Sequence, residues 1–171
     1  MASSVLKIKA DELNTNSCLV DIFQLAKERL PSAASYAGDI TALEAWQILT
    51  EDQHGLLVDV RTKAECCFVG IPDLTAINKK PLFIEWQIYP SMQPNSQFLI
   101  ELSKNQISSD TPLLFLCRSG SRSMSAAQLC ASNGFISCFN IIDGFEGPLD
   151  ANKQRTSSFG WKMQKLSWIQ S

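Results

Sequence analysis

The chain has 171 residues, 45% of them hydrophobic and 19% charged, with a formal net charge of -2. That is enough for one domain with a sizeable core. The small net charge gives no basic field for nucleic acid, and no apolar run approaches the ~20 residues of a membrane span, so neither is an expected partner.

Residues 1–37 read as an N-terminal extension and 38–171 as the main domain. The start has no long apolar core, so a secretory signal is not expected. Ser3, Ser4, Lys7 and Lys9 would suit a transit peptide, whereas Asp11, Glu12 and Asp21 would not. The expected location is cytoplasmic, with reduced thiols. Residues 18–30 have helical amphipathic periodicity: Leu19, Ile22, Phe23, Leu25, Ala26 and Leu30 oppose Asp21, Lys27, Glu28 and Arg29. Pro31 ends that helix. Its expected role is to pack on the domain, with docking of a partner or a membrane as the alternative.

Thr41 and Glu44 form a capping box, which predicts a helix with Leu43, Ala45, Trp46, Ile48 and Leu49 on its apolar side. His54-Gly55 closes it. Leu56 to Val60 then reads as a buried strand, apolar apart from Asp59. A carboxylate there needs a partner, and Arg61 is the nearest cation. Thr62 to Phe68 suits a short helix, Gly70 to Asp73 a loop, and Leu82, Ile84, Trp86 and Ile88 alternate as in a strand. A helix is expected from Asn95 or Ser96, with Phe98, Leu99 and Leu102 on one side, and a turn at Asp110-Thr111-Pro112.

The most informative stretch follows. Leu113 to Leu116 is an apolar run leading into Cys117-Arg118-Ser119-Gly120-Ser121-Arg122-Ser123, and a helical pattern continues to Asn133-Gly134. Strand, tight loop and helix place a thiol where loop N–H groups and a helix N-terminus converge. Cys117 is the candidate nucleophile, because such a cup favours the thiolate that attacks. Arg118 and Arg122 add positive charge, Gly120 gives the backbone freedom to curl, and Ser119, Ser121 and Ser123 can donate hydrogen bonds. A small anionic substrate is the implied ligand. Phe139 to Ile142 reads as the next strand, and the tail from Ser158 to Ile169 is rich enough in aromatic residues to be ordered. Alternating strands and helices imply a parallel, helix-covered sheet, whose active site lies beyond the carboxyl ends of the strands.

Among the six cysteines there is no Cys-x-x-Cys pair, and His54 is the only histidine, so no metal site and no cofactor is implied. Cys66, Cys67, Cys130 and Cys138 are expected as packing residues. His54 precedes its strand and belongs at the opposite end of the sheet, which disfavours a cysteine–histidine hydrolase.

Over residues 38–169 the chain resembles the rhodanese (thiosulfate sulfurtransferase) family in its single-domain form. The resemblance rests on Leu57-Val58-Asp59-Val60-Arg61 with Glu65, on the Cys117–Ser123 loop, and on Asp143-Gly144-Phe145-Glu146-Gly147. Ile84-Glu85-Trp86 with Pro90, and Gly160-Trp161 through Leu166-Ser167-Trp168, look like one bacterial subgroup of small rhodaneses. The resemblance implies an α/β three-layer fold with a five-stranded parallel sheet flanked by helices. It further implies that Cys117 accepts a sulfane sulfur from thiosulfate or a similar donor, holds it as a persulfide, and passes it to a thiol or protein acceptor. Arg118 and Arg122 would attract the donor, while Asp59 and Arg61 would brace the loop. The family's Gly-His-Ile-Pro-Gly segment reads Gly70-Ile71-Pro72-Asp73 here, so the pocket rim is not carried over.

Three alternatives stand beside this reading. A related phosphatase loop has five residues between cysteine and arginine; here Arg122 comes one position early, so the phosphate clamp of a phosphatase or arsenate reductase is missing. A non-catalytic binding module of the same fold is the second. A sulfur relay docked through the 1–37 extension is the third. A disulfide from Cys117 to Cys66 or Cys67 depends on distance.

Overall fold

The computed structural model describes residues 18–170. The targeting signals weighed at residues 3–12 lie outside them. In chain order the elements are α1 (18–28), β1 (Gly38–Ile40), α2 (Ala42–Glu51), β2 (Leu56–Asp59), α3 (Lys63–Val69), β3 (Ile71–Pro72), a 3-10 turn (Thr75–Ile77), β4 (Leu82–Phe83), β5 (Gln87–Ile88), β6 (Gln93–Pro94), α4 (Phe98–Ser103), β7 (Leu113–Leu116), α5 (Ser121–Ser132), β8 (Cys138–Ile141) and β9 (Trp168–Ile169).

Five strands form the expected parallel sheet, in the order β1-β8-β7-β2-β4. Alternation along the central strands sends side chains to two cores. Leu57, Leu114, Leu116 and Ile141 meet α1 and α2 on one face. Val58, Leu113, Phe115 and Cys117 meet α4 and α5 on the other. A strand buried on both faces must be apolar throughout, which is why β7 reads as Leu113-Leu114-Phe115-Leu116 with every residue buried. Within the described residues α1 belongs to the first core: Ile22 and Ala26 are buried, and Phe23 stacks on Phe139 at 5.0 Å. Most of its apolar face is therefore used inside the molecule, while Leu25 is left 47% exposed.

Both threonine-led helices are capped as their sequences dictate, Thr41 with Glu44 on α2 and Thr62 with Glu65 on α3. Three local expectations differ. The segment read as a loop at Gly70–Asp73 contains β3, because the distant tail supplies β9 as its antiparallel partner, with Ile71 opposite Ile169. The alternation from Leu82 to Ile88 is not one strand: only β4 joins the sheet, and the chain then leaves it to form the β5–β6 hairpin. The fourth helix begins at Phe98 rather than at Asn95 or Ser96, and the Asn95 side chain accepts the Gln97 N–H at 2.9 Å just before it. Among the described residues no helix is long and apolar enough to cross a membrane.

Candidate active site

Cys117 follows β7 at the carboxyl edge of the sheet, and α5 starts four residues later at Ser121. The thiol is 1% exposed. Its Sγ accepts the Gly120 N–H at 3.2 Å and lies 3.2 Å from the Ser123 hydroxyl. The loop can turn this tightly because Gly120 has φ +92°, and a Cβ there would lie 2.2 Å from the Ile142 carbonyl oxygen. Gly144 answers it from below: at φ +62°, its Cβ would lie 2.5 Å from the Arg118 carbonyl oxygen. The loop rests on that turn through two hydrogen bonds, Phe145 N–H to Cys117 O at 2.8 Å and Glu146 N–H to Arg118 O at 3.0 Å. The Asp143-Gly144-Phe145 segment is thus the floor of the cup. Asp143 ties this floor to the N-terminus of α2 by accepting the Ala42 N–H at 2.9 Å.

Asp59 and Arg61 pair as expected, fully buried at 2.6 Å. Burial opposes the Arg61 charge, but Asp59 outweighs it and raises the pKa. Arg61 also donates to the Gly70 carbonyl at 3.0 Å, and its guanidinium lies 4.0 Å over the Phe145 ring. The pair therefore reaches the loop through Phe145, whose own N–H holds the Cys117 carbonyl, rather than by touching the cup atoms.

The two arginines of the loop separate in role. Arg118 is exposed at the mouth and, among the described residues, makes no ion pair. Arg122 is gripped by Glu65 through two hydrogen bonds of 2.6 and 2.7 Å. Burial works against the Glu65 charge, yet the Arg122 hydrogen bond and the Thr62 N–H outweigh it and hold the carboxyl down at about 2. Of the two positive charges the loop was expected to add, that of Arg118 is unpaired among the described residues and that of Arg122 is matched by Glu65. That pair links α5 to α3 across the cup.

Of the three serines, only Ser123 reaches the sulfur. Ser119 is half-buried and Ser121 is exposed, where it lines the cavity above the thiol. This cavity has a volume of about 560 Å³ and lies between α3, the β5–β6 hairpin and the loop. Phe68, Tyr89 and Met92 form its apolar rim, with Phe68 80% exposed.

Behind Ser123 runs a chain of buried and half-buried polar groups that the sequence did not single out. Its hydroxyl lies 2.7 Å from Asn140 Oδ1; Asn140 Nδ2 donates to Asp39 Oδ1 at 2.8 Å; the Tyr36 hydroxyl donates to the same oxygen at 2.8 Å. Burial first, then the Asp39 hydrogen bond, raises the Tyr36 pKa above its usual value. The one available signal was polar Asn140 within an otherwise apolar strand. For Glu65 the available signal was the Thr62-x-x-Glu65 spacing of a capping box, which points to its local partner and not its distant one.

Cys66 and Cys67 do not line the Cys117 cavity; they face a separate cavity of about 520 Å³ beside Ile71 and Phe83. Burial pushes the Cys66 thiol up to about 12. Cys67 is exposed rather than packed, because α3 turns that side outward. Cys130 and Cys138 are buried in the second core, as expected for packing residues. His54 sits with Asp52 and Asp110 at the amino edge of the sheet.

A family model described as the STR4 middle domain matches residues 37–171. A Rickettsia rickettsii protein named "Uncharacterized protein RP600 homolog" is 38% identical over 130 residues, covering 76% of this chain and 95% of its own length. The Arabidopsis thaliana protein "Rhodanese-like domain-containing protein 4, chloroplastic" is 30% identical over 131 residues, which cover 76% of this chain and 25% of the larger protein. The crystal structure of Rv0390 from M. tuberculosis matches with a TM-score of 0.73 and 43% identity, over 80% of this chain and 99% of that one. The homodimeric polysulfide-sulfur transferase of Wolinella succinogenes shares the fold, with a TM-score of 0.54 at 17% identity over 91% of this chain and 90% of that one. A five-stranded parallel sheet flanked by helices agrees with these matches, and the chain belongs to the STR4 middle-domain family of rhodanese-like domains.

Proposed function

We propose that this protein is a sulfurtransferase working through a Cys117 persulfide. The observation that carries the reading is a buried thiol, 3.2 Å from both a loop N–H and a hydroxyl, at the base of an open cavity and just before a helix N-terminus. The Cys117 thiolate attacks the outer sulfur of thiosulfate or a similar anionic donor. A sulfur–sulfur bond forms at Cys117, the bond to the sulfonate sulfur breaks, and sulfite departs with the electron pair. A thiol acceptor, as its thiolate, then takes the outer sulfur and regenerates the Cys117 thiolate. The Gly120 N–H and the N-terminal end of α5 favour the anion, so no histidine base is required.

The cavity far exceeds an inorganic anion and lies in the ~300–1,000 Å³ range that accepts organic ligands. Its Phe68, Tyr89 and Met92 rim suits the larger of the two substrates, an acceptor thiol on an organic molecule or a protein. Arg118 is the cation free to meet the donor. Phosphoryl transfer is disfavoured because Arg122, the only other arginine of the loop, is committed to Glu65.

The test loads the protein with thiosulfate and with polysulfide, then reads intact mass and cyanide-dependent thiocyanate release for the native chain and Cys117→Ser. One added sulfur on the native chain and none on the variant is expected. A folded native chain that takes up no sulfur from either donor refutes the reading.

A further inference from the structure

The Ser123 hydroxyl has one proton and three neighbours that can take it. Asn140 Oδ1 lies at 2.7 Å, the Gly120 carbonyl at 3.1 Å and Cys117 Sγ at 3.2 Å. The Gly120 carbonyl also accepts the Met124 N–H at 3.1 Å, so it has a second donor. Asn140 Oδ1 depends on Ser123. Its orientation is not free, because a carboxylate only accepts hydrogen bonds, and Asp39 holds the Asn140 NH2 at 2.8 Å. Turning the amide would set its oxygen against that carboxylate.

We infer that Asn140, oriented by Asp39, is a positioning residue that claims the Ser123 proton and thereby withholds it from the Cys117 thiolate. With Cys117 as a neutral thiol, the Ser123 proton can stay with Asn140 Oδ1, and the sulfur keeps the Gly120 N–H at 3.2 Å. With Cys117 as a thiolate, the buried sulfur keeps the Gly120 N–H, but it competes with Asn140 Oδ1 for the Ser123 proton, and one of them goes without that bond. In a persulfide the charge moves to the outer sulfur. Sγ then carries no formal charge, and Ser123 serves Asn140 again without loss. The relay thus raises the free thiolate relative to the loaded state, which favours loading. That last consequence rests on the persulfide chemistry proposed above; the competition for the proton does not.

The charged and titratable groups facing the thiol are Arg118 on the loop, the Arg122–Glu65 pair from α5 and α3, and Tyr89 from the hairpin, with the Asp59–Arg61 pair behind Phe145. None is altered in the test. The rate of iodoacetamide labelling of Cys117, read on its peptide by mass spectrometry, is followed against pH. Asn140→Leu keeps the side-chain size and removes the competing acceptor, so the midpoint of the profile should fall by about one pH unit, a tenfold gain in thiolate fraction. Asp39→Asn frees the amide to turn and should shift the midpoint the same way by less. In a Ser123→Ala background Asn140→Leu should produce no shift, which a purely structural role of Asn140 would not predict. An unmoved or raised midpoint in folded Asn140→Leu overturns the inference, as does an undiminished shift in the Ser123→Ala background. If Asn140→Leu does not fold, Asp39→Asn decides by the same criterion. Labelling requires no sulfur transfer, so this result stands apart from the activity test.

Discussion

Glu65→Gln separates the charge of Glu65 from its capping role. Glutamine keeps one side-chain oxygen for Thr62, and so retains most of the capping box, but it loses the ion pair with Arg122 57 residues away. The folded protein holds this carboxyl at about 2 against its usual 4.5. That difference corresponds to roughly 3 kcal/mol at neutral pH. The two side chains are 15% and 19% exposed, so water screens the pair, and about 1–2 kcal/mol is the share expected. For a chain of this size that lowers Tm by roughly 2–8 °C. The sign with pH follows from the direction of the shift. A depressed folded pKa contributes its full stability above the usual value, and the contribution fades as pH falls from about 4.5 towards 2. Urea unfolding of the native chain and the variant, compared at neutral pH and at steps down to about pH 3, measures it. The deficit of the variant should be present at neutral pH and shrink on acidification. A deficit that stays constant with pH, or a variant as stable as the native chain at neutral pH, would show that the pair does not clamp α5 to α3.

Asp59→Asn should cost more, about 3–5 kcal/mol, because it strands the Arg61 guanidinium as an unpaired charge in a fully buried position; denaturant unfolding reads it, and a loss below that of Glu65→Gln would contradict the burial argument. Gly120→Ala should destabilise by at least about 2 kcal/mol and abolish sulfur uptake, since a Cβ at 2.2 Å from the Ile142 carbonyl forces the loop, and the N–H that holds Sγ, out of place. A stable and fully active Gly120→Ala variant would remove the loop from the account.

The sequence carried much of what depends on neighbours along the chain. The Thr41–Glu44 capping box marked a helix start, and a wholly apolar run marked β7 as a buried strand. Cys117 to Ser123 showed the strand–loop–helix cup, because the atoms that meet the sulfur lie within six residues of it. Asp59 and Arg61 are two residues apart, so their pairing was equally legible. Tertiary structure alone decided what those groups face. Arg122 could be read as a cation but not as one spent on Glu65, since that contact forms only when α3 and α5 pack against the same sheet edge. Asn140 and Asp39 are 101 residues apart and meet because β1 pairs in register with β8, placing Asp39 directly opposite Asn140. β3 became a strand only through a tail nearly a hundred residues downstream. Local hydrogen bonds are specified by side-chain type and spacing, whereas a buried polar group takes its partner from whichever strand or helix the packing of the core brings beside it.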